Sequence, residues 1–326
     1  MLVLSRVQVE GLLDVEALVD ALATAMADLS AGLVSTPPRV AARVWGRAAM
    51  LAVMPAFLPS AGALVTKLVS LFPENRDRPT HQAVICCFDA ATGTPVALMD
   101  GTYITATRTA AGSALASRYL ARADARVLSI VGSGVQARAH ARAFRDWPGL
   151  EVVRVAGRDP VATERLVADL TAEGRAAEVA RTIEDAVRTA DIVCAATHAD
   201  TPVVCRSWLQ PGAHVNSVGY NTAGDGEVDA ELIRDALVVV ESRDAVLAPP
   251  PSGAVEIQRA IEAGVVSPDC IHAEIGEIVA GTAQGRRDDE AITLYKSVGV
   301  AVQDAAASML VLRAAEADGI GTSIDL

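Results

Sequence analysis

The sequence is poor in aromatic residues: its 326 positions hold three Trp, four Tyr and four Phe. It has no basic surplus either, with 28 Lys and Arg against 40 Asp and Glu and a net charge of −12. Nucleic-acid binders rely on a basic patch and stacking positions, so these two deficits exclude that class of partner. Cysteine is scarce. Cys86, Cys87, Cys194, Cys205 and Cys270 make an odd number without a CxxC pair, which excludes a disulfide framework and a zinc ribbon. The histidines His81, His140, His198, His214 and His272 form no HxxxH or HExxH pattern, so no metal site is expected. One uncharged run, 48–66, is long enough to raise a membrane question. Pro55, Pro59 and Gly62 interrupt it, and it reads as buried strand and turn rather than a spanning helix. Arg6, Glu10, Asp14 and Glu16 break up the first residues, and no signal peptide is visible. The expected setting is a reducing cytoplasm, with no membrane partner.

Apolar residues, mostly Ala, Val and Leu, make up 51% of the chain, enough for a large core and far from the composition of a disordered chain. The length suits two domains or one large one. Leu18, Val19, Leu22 and Met26 recur near helical spacing, which predicts a helix over 15–30 with Asp14 as its N-cap. Strands are expected at 40–44, 49–54, 64–71, 83–89 and 95–99. Asp89-Ala-Ala-Thr-Gly-Thr-Pro95 turns the last two into a hairpin. Cys86 and Cys87 lie in the apolar run 83–88 and read as buried strand residues. A helix follows over 107–121. From about 124 to 295 strands and helices alternate, with strands expected at 127–131, 151–156, 191–196, 214–219 and 237–241 and a helix at 135–147. This alternation predicts a parallel sheet covered on both faces. A last helix is expected over 298–315.

The strongest local motif is Gly132-Ser133-Gly134-Val135-Gln136-Ala137, a GxGxxA between an expected strand and an expected helix. Gly132 suits the tight turn, Gly134 lets the backbone approach a pyrophosphate, and Ala137 allows close helix–strand packing. The helix start offers N–H groups and the positive end of its dipole to phosphates. An NAD site usually ends its second strand in Asp or Glu, which binds the ribose hydroxyls. Here that strand runs into Gly157-Arg158-Asp159. A missing acid at Gly157 and a guanidinium at Arg158 favour NADP(H). A register shift of the alignment that brings Asp159 into the acidic position leaves NAD(H) possible.

Further segments carry a wider resemblance: Pro38-Arg39, Met54-Pro-Ala56, Thr66-Lys-Leu-Val69, His81-Gln82, Met99-Asp-Gly101, Arg108–Ala116, Pro211–Gly219 and Lys296-Ser-Val-Gly299. In order and spacing, over nearly the whole chain, the sequence resembles the ornithine cyclodeaminase/mu-crystallin family. Thr66–Val69, Thr80-His-Gln82 and Tyr295–Gly299 look nearer to its mu-crystallin (ketimine reductase) branch. The resemblance implies an α/β fold in which a Rossmann dinucleotide-binding domain (119–297) is inserted in a second α/β domain (1–118 with 298–326). That second domain would bind substrate and form a homodimer.

By the same resemblance, Arg39 and Arg108 hold a substrate carboxylate, as the bidentate chemistry of guanidinium allows, and Lys67 donates or relays a proton. A Lys half-buried in the apolar run 64–71 is a candidate for a depressed pKa. The plain alternative for each Arg is a structural ion pair, and for Lys67 a surface side chain on an apolar stem. His81 lines the nicotinamide end of the cleft. Ser133, Val135 and Gln136 match phosphate-loop positions. Thr197 matches a position near the adenosine ribose, and Val218 and Ser297 match positions near the nicotinamide. Asp304 matches a family position on the last helix and reads as structural. Asn221 stands where the family's cyclodeaminases carry an Asp general base, and an amide cannot take that proton. Asp225, four residues on, is the possible substitute.

Loss of that base points away from the cyclodeaminase cycle. The expected activity is NAD(P)H-dependent reduction of an imine of an α-keto acid to an amino acid, or its reverse. The alternatives are ornithine cyclodeaminase, which releases ammonia and recycles NAD, and a non-catalytic binder of NADP or a small ligand.

Overall fold

The computed structural model describes residues 1–219, 224–249 and 252–325. It divides into two compact units, Met1–Arg108 with Gly299–Leu326, and Thr109–Val298. Residues 220–223 lie outside the described residues, Asn221 among them.

In the first unit, strands β1 (Leu2–Leu4), β2 (Val40–Val44), β3 (Ala49–Leu58), β4 (Ala63–Leu71), β5 (His81–Phe88), β6 (Pro95–Asp100) and β15 (Thr322–Ser323) form one sheet. Its order is β15-β1-β6-β5-β4-β3-β2, antiparallel throughout except for the β1–β6 pair. The uncharged run 48–66 is thus β3, a short turn and the start of β4. The β5–β6 turn is tied by Asp89 Oδ1, which accepts from the backbone N–H groups of Ala91 and Thr92.

Side-chain alternation gives this sheet two faces. Ala52, Met54 and Ala56 of β3, Ala63, Val65, Lys67 and Val69 of β4, and Ala83, Ile85 and Cys87 of β5 are buried on one of them. Helix α11 (Ala301–Asp318) packs on β3, β4 and β5 and also against α2 (Val15–Ser30). Asp14 caps α2 by accepting from the N–H of Ala17. Leu18, Leu22 and Met26 of α2 are buried, each contributing about 1.5–3 kcal/mol. The other sheet face keeps apolar side chains in contact with solvent, Leu51 and Val84 among them. Cys86 points to that face and is only partly buried, whereas Cys87 is buried as expected. Helix α11 begins at Ala301 rather than 298 because Gly299 adopts φ +81°, outside helical backbone.

Helix α3 (Gly101–Leu120) carries the chain from the first unit into the second. It starts earlier than the expected 107. Asp100 at the end of β6 accepts from the N–H of Tyr103 and so caps the helix six residues before its expected start.

In the second unit, eight strands lie parallel in the order β13-β12-β14-β11-β10-β7-β8-β9. They are β7 (Val127–Val131), β8 (Val152–Ala156), β9 (Ala177–Val179), β10 (Ile192–Ala195), β11 (His214–Ser217), β12 (Leu237–Val240), β13 (Ile271–Glu274) and β14 (Thr293–Lys296). Near-continuous burial of β7, β10, β11 and β14 is what a parallel sheet covered on both sides requires. Helices α4 (Val135–Ala143) and α5 (Pro160–Ala172) follow β7 and β8 as in a dinucleotide-binding βαβαβ arrangement. Two histidines are structural. His214 lies between Thr293 Oγ1 and Asn216 Oδ1, and His140 meets Ser113 Oγ. Burial keeps both neutral, with pKa values pushed down to about 3 and about 4.

Candidate active site

Lys67 does not snorkel. Alternation along β4 turns it to the covered face, between Met54 of β3 and Ile85 of β5 in register, with 2% of its surface exposed. An ammonium so placed needs a partner, and the first turn of α11 supplies it. Lys67 Nζ donates to Asp304 Oδ2 at 2.7 Å. The second oxygen, Oδ1, accepts from Arg108 Nε at 3.2 Å. Arg108 Nη1 donates to Gln303 Oε1 at 2.7 Å, and all four side chains are buried. Gln303 and Asp304, adjacent on α11, therefore orient the Arg108 fork from one side.

Arg39, half-buried, donates through Nη2 to the carbonyl of Gly299 at 2.8 Å. A Cβ at Gly299 would stand 2.9 Å from Arg108 Nη2, so the same glycine touches both guanidinium groups. Lys67, Arg108 and Arg39 thus gather around the start of α11. Desolvation lowers the Lys67 pKa to about 8; Asp304 opposes the shift, while Arg108 and Arg39 add to it. Burial works against the Asp304 charge, but Lys67 and Arg108 outweigh it and hold the carboxyl below its usual range. The arrangement offers a guanidinium fork for a carboxylate and, beside it, an ammonium able to release a proton near neutral pH.

His81 does not join this group. It shares the Lys67 face, but it pairs with Leu71, four residues along β4 or about 13 Å away, and is exposed. Gln303 is the residue that sequence reasoning missed. Asp304, which the sequence reads as structural, contacts both candidate catalytic cations. An acid at the start of an otherwise apolar helix was the available signal.

In the second unit the GxGxxA forms the turn from β7 to α4. Gly132 has φ +122°, and a Cβ there would lie 2.7 Å from the carbonyl oxygen of Ala196. Gly134 is the N-cap of α4 with no side-chain capping bond, and the space beside it is open. The buried Oε1 of Gln136 has no hydrogen-bond partner among the described residues. An uncapped helix start behind a glycine turn, with open space beside Gly134, fits a dinucleotide pyrophosphate. Ser133 is half-buried and Val135 exposed at the same loop.

At the end of β8, a Cβ on Gly157 would lie 2.7 Å from Thr163 Oγ1 and 3.2 Å from Ser133 Oγ, so no acid fits there without displacement. Asp159 caps α5, accepting from the N–H of Ala162, while Arg158 is exposed beside it. Thr197 donates its hydroxyl and its N–H to Glu227 Oε1. Glu227 Oε2 accepts from Ser217 Oγ and from the N–H of Gly219. Lys296, paired with Glu256 at 2.7 Å, donates to the Gly219 carbonyl at 3.0 Å. The peptide of Gly219 is gripped on both sides just before residues 220–223. Ser297 donates to Glu241, and Val218 is half-buried at the end of β11. Asp225 is exposed, its N–H donating to the Asp200 carbonyl. No group of His, Cys, Asp or Glu among the described residues is arranged to hold a metal, and no helix there is long and apolar enough to cross a membrane.

The family model described as "Ornithine cyclodeaminase/mu-crystallin family" matches residues 1–319. The ketimine reductase mu-crystallin of Macropus fuliginosus is 35% identical over 300 residues, 90% of each chain. A solved structure of Thermococcus litoralis Δ1-pyrroline-2-carboxylate reductase, in complex with NADH and L-proline, is 35% identical with a TM-score of 0.95, covering 99% of this chain and 100% of that one. An archaeal alanine dehydrogenase, a dimer with bound NAD, is 30% identical with a TM-score of 0.91, covering 100% and 99%.

Proposed function

The chain belongs to the ornithine cyclodeaminase/mu-crystallin family, and from that premise we propose that it is an NAD(P)H-dependent reductase of imines derived from α-keto acids, yielding amino acids. The observation that carries the reading is the buried set around Asp304: Lys67 and Arg108 share its two oxygens, and Arg39 stands on Gly299. Arg108 and Arg39 bind the substrate α-carboxylate and fix the imine carbon in place. Lys67 releases its proton to the imine nitrogen as the C=N bond takes up hydride. When bound, the cofactor supplies that hydride from its nicotinamide. Burial of Lys67 keeps bulk water from the proton it holds. The Rossmann part comprises 119–297; 1–118 with 298–326 binds substrate and forms the homodimer, a role supported by the apolar side chains exposed on the outer sheet face. The site is tested by turnover of cyclic imino acids with NADH and NADPH while ammonia release is followed.

The glycine at 157, the cap made by Asp159 and the exposed guanidinium of Arg158 support NADP(H) as the preferred cofactor. Arg158→Gln is expected to raise KM for NADPH about tenfold, the loss of roughly 1.4 kcal/mol of charge-assisted hydrogen bonding, and to leave KM for NADH within twofold. Equal effects on the two cofactors, or a wild-type enzyme more efficient with NADH, would overturn the preference.

A further inference from the structure

Lysine occurs at only two positions in the chain, Lys67 and Lys296, among 28 basic residues. Both are buried, at 2% and 1% exposure. At position 67 the chemistry explains the choice: a guanidinium does not release a proton near neutral pH, whereas an ammonium can. An ammonium inside the protein also faces the opposite danger. Burial favours the neutral amine, and the fixed positive charges of Arg108 and Arg39 push the same way. An amine already neutral in the resting enzyme has no proton to give.

The groups that face Lys67 can be named element by element. Met54 on β3 and Ile85 on β5 flank it in register and carry no charge. Cys87, farther along the same face of β5, is a thiol that burial pushes up to about 12. Arg108 on α3 and Arg39 beyond α2 are positive. Asp304 on α11 is the one carboxylate among them, 2.7 Å from Nζ and 1% exposed at its side chain. We propose that Asp304 is a positioning residue that holds Lys67 in its protonated form at neutral pH, one oxygen serving Lys67 while the other serves Arg108. This inference rests on the reading of Lys67 as the proton donor. It adds that the donor state is set by a residue of α11 that need not touch substrate.

The scarcity of lysine makes the test direct. Protein labelled with 13C at lysine Cε gives two side-chain signals, and Lys67→Met assigns them. In the wild type the Lys67 signal is expected to titrate near pH 8. In Asp304→Asn its midpoint is expected to fall by about 1–3 pH units, the usual effect of an opposite charge at this distance. The alkaline limb of kcat/KM should move down by the same amount, since the acid form is lost earlier as pH rises. Any titration of the substrate imine is common to both proteins and cancels in the comparison. Where Asp304→Asn does not fold, Arg108→Met tests the same balance in the opposite direction, because removing the like charge raises the Lys67 midpoint. An Asp304→Asn midpoint within half a unit of wild type, or an Arg108→Met midpoint that fails to rise, overturns the proposal. If the midpoint moves but Lys67→Met retains full activity, Asp304 controls Lys67 and the proton-donor reading is what fails.

Discussion

Lys67→Met is expected to lower kcat for imine reduction by about 10²- to 10⁴-fold, the usual contribution of a placed general acid. Cofactor affinity should stay within twofold, since the dinucleotide loop lies at 132–137. Stability should change little. Replacing a buried cation by an apolar side chain of similar length removes a desolvation cost, and Asp304 keeps Arg108 as its partner. Lys67→Arg separates charge from proton donation. It keeps a cation beside Asp304 but cannot act as an acid near neutral pH, so it is expected to be about as inactive as Lys67→Met. Activity of Lys67→Arg within tenfold of wild type would mean that charge alone suffices. Steady-state kinetics with one imino acid over a range of pH is the measurement.

Arg108→Met is expected to lower kcat/KM by about 10²- to 10³-fold, mainly through KM. Truncating one member of a buried, hydrogen-bonded charge pair costs about 2–5 kcal/mol, and each 1.4 kcal/mol is tenfold. The partner lost on binding is the substrate carboxylate, whereas Asp304 and Gln303 lose theirs in free and bound enzyme alike. Arg108→Lys should recover only part of the loss, because an ammonium cannot reproduce the fork that reaches Asp304 through Nε and Gln303 through Nη1. Inhibition by simple carboxylates should weaken in parallel. If Arg108→Met left KM unchanged and lowered only the melting temperature, Arg108 would be a structural ion pair.

Much of the fold was legible because the patterns were local. Helix α2 and β2 lie where periodicity put them, and GxGxxA forms the β7–α4 turn. β14 was missed because Thr293-Leu-Tyr-Lys296 holds two polar residues and sits where the sequence read as a junction, although all four are buried. The depth of Lys67 was readable in principle: Ala63, Val65 and Val69 share its alternation and are buried with it. What a sequence could not give was the partner, because Asp304 lies 237 positions away and meets Lys67 only once α11 packs on β4. For the same reason the separation of His81 from Lys67 could not be read from sequence: only strand register, which pairs His81 with Leu71, fixes it. Thr197 and Ser297 have their hydroxyls directed to Glu227 and Glu241, two buried carboxylates that no motif announced.

The central claim is imine reduction, set against the cyclodeaminase chemistry also found in the family. The most direct measurement incubates the enzyme with a cyclic imino acid plus NADPH, and separately with ornithine plus NAD, following nicotinamide absorbance and ammonia together. The account predicts one NADPH oxidised per imino acid reduced, with no ammonia formed from ornithine. Conversion of ornithine to proline with release of ammonia and no net change in the cofactor would contradict it.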